Sequence, residues 1–232
     1  MTDQGDTRQH FHASLAELEE SLLDVAERAE RAVEKAVRAL VAGDVELAAQ
    51  VVAEDHEIDG IYRHAHDEWI RLVALQAPMG SDLRLLAALL HLGVTFERMG
   101  DQAVNVARIV EITQGLPRAA RMLERIQEMG DLVRPMIHTA IHSFARRDVD
   151  EARLLPAMDE PVDRLNRTMY REVLECGNDP ELLEWATQMM LVARALERVG
   201  DQAVDVGEQL AFLVTGEYTE WSQLPAGDGG DR

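Results

Sequence analysis

The chain has a single cysteine, Cys176, among its 232 residues. A lone thiol excludes an internal disulfide and a thiolate metal cluster, and it fits a reducing compartment. Positive charge is scarce, with 23 Lys and Arg against 43 Asp and Glu, a formal charge of −20 and a pI of about 4.7. Nothing basic is concentrated enough to hold a phosphate backbone, so nucleic acid is disfavoured as a partner. The same charge opposes adsorption to an anionic membrane. Long apolar runs are missing as well. The longest, Leu85 to Val94, falls far short of the roughly 20 residues a transmembrane helix needs, and it contains His91. Met1 to Ser14 is polar and lacks an apolar core, so no secretory signal is expected. Aromatic residues make up only 4%. Ala, Leu, Val, Glu and Arg dominate instead, as they do in helical bundles.

What is present is a repeat. Glu97-Arg98-Met99-Gly100-Asp101-Gln102-Ala103-Val104-Asn105-Val106 returns 100 residues later as Glu197-Arg198-Val199-Gly200-Asp201-Gln202-Ala203-Val204-Asp205-Val206, with eight of ten positions identical. The chain is an internal duplication. Around the first copy an apolar stripe runs through Leu85, Leu89, Leu92, Phe96, Met99, Ala103, Val106 and Val110. Around the second it runs through Trp185, Met189, Val192, Leu196, Val199, Ala203, Val206 and Leu210. Steps of four and three mark the seam of a packed helix. A glycine in a helix interior costs roughly 1 kcal/mol relative to Ala. Gly100 and Gly200 therefore predict a close approach by a neighbouring element.

The punctuation of the chain gives six long helices in two tandem three-helix bundles, an all-α architecture. Residues 1–7 are expected as a loose start, 8–115 as the first three-helix unit, 116–215 as the second and 216–232 as a flexible tail. The first helix spans Arg8 to Ala42, and its alanine-rich second half permits close packing. Gly43 stops it and Asp44 caps the second helix, which runs to Gln76. Pro78 to Ser81 forms a turn, with Ser81 as the expected cap, and the third helix covers 82–114. The fourth covers 118–146, with a kink expected at Pro135. Pro156 and Pro161 should bend or interrupt the fifth. Asp179-Pro180 opens the sixth, 180–215. Asp159 and Asp163 follow Asp55 and Asp59 by 104 rather than 100 residues, which predicts a longer turn in the first half.

Each half then offers two acidic pairs at i, i+4 spacing: Asp55/Asp59 with Glu97/Asp101, and Asp159/Asp163 with Glu197/Asp201. Members of a pair share a helix face about 6 Å apart along the axis. Antiparallel neighbours would gather four carboxylates per half, with Asp205 as a fifth in the second half where the first has Asn105. Such a cluster repels itself and raises its own pKa values. Arginines (Arg63, Arg84, Arg98, Arg164, Arg198) or bound cations would compensate it. Oxygen-only ligands suit hard or borderline ions such as Mg, Mn, Ca or Fe. Taken singly, each pair is an ordinary solvated face; the repetition is what favours a metal or specific polar recognition. On this reading the second half binds better, because Asp205 is a stronger ligand than Asn105. His66 shares the face of Asp59, but its counterpart is Tyr170. His138 and His142 form another i, i+4 pair with no match in the first half.

At these residues the chain resembles the PhoU family of bacterial phosphate-uptake regulators. The resemblance rests on the twice-repeated Glu-Arg-X-Gly-Asp-X-Ala-X-Asn/Asp segment, Asp55-X-X-X-Asp59, Asp159-X-X-X-Asp163, Ser81-Asp82-Leu83-Arg84 after Pro78, and His10 to Leu15 leading the first helix. Gln102 and Gln202 depart from a position where histidine is often found, and Pro161 lies inside the fifth-helix motif. The resemblance implies a cytoplasmic, non-enzymatic negative regulator of phosphate uptake and of the phosphate-starvation response. Its implied partners are the ATPase subunit of a phosphate ABC transporter, a sensor histidine kinase and a second copy of itself. It also implies metal ions (iron, zinc, manganese or magnesium) at Glu97, Asp101, Glu197, Asp201 and Asp205, then at Asp55, Asp59, Asp159 and Asp163. Arg84, Arg98, Arg198 and Asn105 are implied as partner-binding or structural polar residues. Two alternatives are a metal-free helical adaptor and a carboxylate-bridged di-iron enzyme. The second is disfavoured because none of the eight histidines has an acidic residue three positions before it, as Glu-X-X-His requires.

Overall fold

A computed structural model describes residues 3–221. Among them there is no strand. Seven helices follow in order: α1 (Asp3–Ala42), α2 (Val45–Gln76), α3 (Ser81–Ile112), α4 (Ala120–Arg146), α5 (Val149–Ala152), α6 (Leu155–Glu175) and α7 (Pro180–Thr215). Six are long, and α5 is a single turn.

The capping chemistry holds at three starts. The Asp44 side chain accepts from Leu47 N–H, Asp148 from Glu151 N–H, and Asp179 from Glu181 and Leu182 N–H. Ser81 is not a cap: Gly80 takes that position at φ 62° with no side-chain bond, and Ser81 is already helical. Helix α1 begins at Asp3, five residues before its expected start, so residues 3–7 are helical instead of loose, and residues 1 and 2 lie outside the described ones. Helix α4 passes through Pro135 without a break. The predicted interruption of the fifth helix falls at Arg153–Leu154, where α5 gives way to α6 and Pro156 sits in the first turn of the new helix. Pro161 is accommodated one turn further on.

One expectation is overturned. The turn at Pro78 is not longer than its counterpart: both connections span four residues, 77–80 and 176–179. The extra length lies in α2, which continues 17 residues past Asp59, whereas α6 continues 12 past Asp163.

Helices α1, α2 and α3 form one unit and α4, α6 and α7 the other, as the duplication predicts. The units are joined along α1 against α4 and α3 against α7, with α2 and α6 on the outside. A single apolar cluster runs from Phe11 to Trp221 through both units. The two predicted motif stripes on α3 and α7, buried except for the half-buried Leu85, supply it together with Leu15, Leu18, Leu22, Val25 and Ala29 on α1. Small residues set the spacing at the seam. A Cβ at Gly130 of α4 would lie 2.7 Å from Val37 Cγ1 of α1.

Helices α3 and α7 are antiparallel. Arg84 lies against Gly216, His91 is in the field of Glu208, and Arg98 is in that of Asp205. As numbers rise along one helix they fall along the other.

Candidate functional site: two acidic rows

The outer helices bring the predicted carboxylates together. In the first half Asp55 feels the charges of Asp59 and Asp101, and Glu97 feels Asp101, Asp59 and Asp55. In the second half Asp159 feels Asp201, Asp163 and Glu197. Each half therefore gathers the four side chains that spacing alone proposed. Burial, with repulsion from neighbouring carboxylates behind it, holds Asp55, Glu97, Asp101, Glu197 and Asp201 above their ordinary pKa. Asp159 is pushed up to about 7 by burial first and then by Asp201 and Asp163.

These contacts explain Gly200, whereas at Gly100 an added methyl would meet its neighbours at ordinary contact distance. A Cβ at Gly100 would lie 3.4 Å from Asp55 Oδ1 and 3.4 Å from Ile58 Cδ1. A Cβ at Gly200 would collide with Asp159 Oδ1, and Met136 Cε would stand 3.5 Å away. The glycine leaves room for the carboxylate of the neighbouring helix to lie on the backbone of the motif helix.

The two rows are not equivalent. Asp159 Oδ1, Glu197 Oε2 and Gln202 Oε1 are buried without a hydrogen-bond partner, and among the described residues no carboxylate oxygen of the first row is so placed. Buried polar atoms ordinarily have partners, so an orphaned oxygen needs a reason. The cations differ too. Arg108 acts on Asp55 and Asp101, whereas its counterpart in the second half is Glu208. Arg194 pairs with Glu197, where the first half has Val94. Arg198 acts on Glu197 and Asp201. Asp205 feels Asp201, but the cation facing it is Arg98 of α3, so it spans the seam between the halves. Asn105, its counterpart, carries no charge, and both positions are exposed.

Some expected partners stand elsewhere. Arg167, rather than Arg164, meets Asp163 at 3.2 Å. Arg63 donates to the Asp59 carbonyl oxygen at 3.1 Å and not to a carboxylate. Arg84 lies at the end of α7 against Gly216, with Nε buried and unpartnered. His66 packs on Tyr62, ring centroids 6.2 Å apart.

Sequence reasoning missed Arg108, Arg194 and the segment after α7. Arg194 had a signal, since it precedes Glu197 by three. The segment after α7 had little. Gly216 to Trp221 folds back instead of running free: Trp221 is 9% exposed, its N–H donates to Glu208 Oε1 at 2.6 Å, and its ring fills the space over Gly207. Glu208 is 4% exposed, and burial raises its pKa. Residues 222–232 of the expected tail lie outside the described residues.

As placed, no three His, Cys, Asp or Glu side chains among the described residues converge on one ion. The donor set is nevertheless all oxygen, and the orphaned Asp159 and Glu197 oxygens are atoms a hard cation would satisfy.

Fold and site define a class: a duplicated helical bundle carrying one acidic row in each half. The chain belongs to the PhoU family, whose PhoU domain matches twice, over residues 22–110 and 118–210. It is 33% identical over 209 residues to the phosphate-specific transport system accessory protein PhoU homolog of Pseudomonas putida, covering 90% of this chain and 82% of that protein. It is 29% identical to the corresponding protein of Clostridium acetobutylicum, covering 92% and 98%. The crystal structure of PhoU from Pseudomonas aeruginosa superposes with a TM-score of 0.84 at 32% identity, covering 89% of this chain and all of that one. The phosphate transport system regulatory protein PhoU from Streptococcus pneumoniae gives 0.83 at 28% identity, covering 90% and 99%.

Proposed function

We propose that the protein is an accessory regulator of a phosphate-specific transport system. It acts without catalysis as a negative regulator that links the transporter's ATPase subunit to a sensor histidine kinase on the cytoplasmic side. The reading is supported by the names its full-length relatives carry. The observation that carries the site is the paired acidic rows, each built by two helices over a motif glycine. No helix among the described residues is long and apolar enough to cross a membrane, which agrees with action beside a transporter and not as one of its spans.

Each row would hold a hard or borderline cation, iron, manganese, magnesium or zinc, through Asp55, Asp59, Glu97 and Asp101 in the first half and Asp159, Asp163, Glu197 and Asp201 in the second. The cation would supply positive charge that lets these carboxylates remain ionised side by side. The protein's own part is to hold the carboxylates on rigid helices, with Arg98, Arg108, Arg194 and Arg198 balancing charge when the rows are empty. The second row would be the tighter one, because its buried oxygens lack partners. Competitive titration of Asp101→Ala against Asp201→Ala tests this, and equal losses would contradict the ranking.

The regulatory reading is tested by pull-down of purified ATPase subunit and kinase, with and without manganese or iron and with and without phosphate. Binding of both partners is the expected result. Binding of neither under any condition would overturn it. If one partner binds only when metal is present, the rows lie at or near that contact. A metal-free adaptor would bind both partners with no metal dependence.

A further inference from the structure

A second set of ligating side chains lies away from the acidic rows. His138 and His142 stand four apart on α4. His138 is displaced about 200° around the helix from Met136, which faces Gly200 and the second row. The histidine rings are stacked, with centroids 6.0 Å apart and planes 12° apart. Each turns Nδ1 toward a carboxylate from another helix. His142 Nδ1 is 3.0 Å from Glu151 Oε2 of α5 and 3.2 Å from its Oε1. His138 Nδ1 is 3.9 Å from Glu30 Oε1 of α1. At His142 the carboxylate within hydrogen-bond distance of Nδ1 keeps the proton there and leaves the lone pair on Nε2, whereas Glu30 stands beyond hydrogen-bond distance of His138. Both rings are open to solvent, at 70% and 42% side-chain exposure. Arg134, one turn before His138, lies 3.6 Å from Glu34 and is engaged there.

We propose that His138 and His142 chelate a borderline divalent transition ion, Cu2+ or Zn2+, through their two Nε2 atoms, with water completing the coordination. Two imidazoles at i, i+4 present two nitrogens on one helix face. The ring planes are nearly parallel, so one ring must turn about its Cβ–Cγ bond to bring both nitrogens to a common ion. Glu151 is a positioning residue that fixes the tautomer of His142, as carboxylates behind metal-bound histidines do. The absence of a third converging side chain among the described residues makes the site bidentate and exchangeable. It differs in chemistry from the acidic rows: imidazole nitrogen favours copper and zinc, whereas the all-oxygen rows favour harder ions. The site also lies where α1 of the first half meets α4 of the second, so a bound ion would sit on the seam between the halves.

The test uses the full chain with one equivalent of Cu2+, read by electron paramagnetic resonance. The expected signal is nitrogen superhyperfine splitting from two imidazoles. It should vanish in His138→Gln/His142→Gln and persist in His64→Gln/His66→Gln and in Asp101→Ala/Asp201→Ala. Glu151→Gln should weaken copper binding about tenfold while keeping the two-nitrogen signal. His138 is exposed and His142 half-buried with an open ring, so helicity by circular dichroism should not change. On the unmodified chain, Zn2+ should shift the ring resonances of His138 and His142. A signal unchanged in His138→Gln/His142→Gln, loss in His64→Gln/His66→Gln, or zinc shifts confined to other histidines would overturn the proposal.

Discussion

At the scale of single residues, the two motif glycines carry the clearest lesson. Helix propensity favours Ala over Gly by roughly 1 kcal/mol. At position 100 the nearest atoms stand at 3.4 Å, an ordinary contact, so Gly100→Ala should leave stability within about 1 kcal/mol of the native chain. At position 200 the added methyl meets the Asp159 carboxylate, so Gly200→Ala should lower unfolding free energy by about 1–3 kcal/mol in urea titration. Equal effects at both sites would contradict the packing described. The sequence signalled a close approach at both glycines, because a helix-destabilising residue was kept twice. It gave no sign that the second is tighter, since that depends on where a side chain 41 positions away comes to rest.

Asp159 supplies a pH prediction. Its carboxyl is raised from an ordinary 3.8 to about 7 in the folded protein. Between those values the folded state binds more protons than the unfolded one, so stability falls as pH rises from about 4 to about 7. Below that window both states are protonated and the native chain regains the full contribution. Asp159→Asn should show a flatter stability–pH curve across the window in denaturant titrations. Identical slopes in variant and native chain would contradict the assignment. The i, i+4 spacing announced the cluster, but the magnitude at one member follows from burial, which no local pattern contains.

At the scale of elements, boundaries were legible wherever a capping side chain or a glycine marks them. Asp44, Asp148, Asp179 and Gly216 all sit at helix ends. Length was less legible. The four-residue offset falls between the second helix and the motif, which points to the turn at Pro78, yet it is roughly one added turn of α2. A turn's worth of residues preserves the helix face, so the apolar pattern gives no warning. The segment after α7 was hidden for another reason. A short polar stretch holding one Trp has no periodicity, and only the buried Glu208, 13 residues earlier, reveals its anchor. Trp221→Ala should cost about 3 kcal/mol of unfolding free energy and speed proteolysis after Thr215. An unchanged protein would mean that the segment does not dock.

At the scale of the whole molecule, the duplication predicted two bundles and the fold has two, but they share one core. Periodicity shows that a helix has an apolar face. It does not show which of several neighbours that face meets, and so the pairing of α1 with α4 and of α3 with α7 lay beyond it. One consequence is cooperative unfolding. The full chain should unfold in a single transition by calorimetry and by circular dichroism, and residues 8–115 alone should not fold stably, since their α4- and α7-facing surfaces would be bare. Two separated transitions would contradict the shared core.

The same arrangement sets the two acidic rows on opposite outer helices, each facing its own motif helix, and makes them the feature on which a regulatory role would turn. The most direct measurement is elemental analysis of the untagged protein purified without chelator, beside Asp101→Ala/Asp201→Ala. The account predicts stoichiometric iron, manganese or zinc in the native chain and its loss in the double variant. No metal in either protein, or equal metal in both, would contradict it and return the rows to polar contact surfaces.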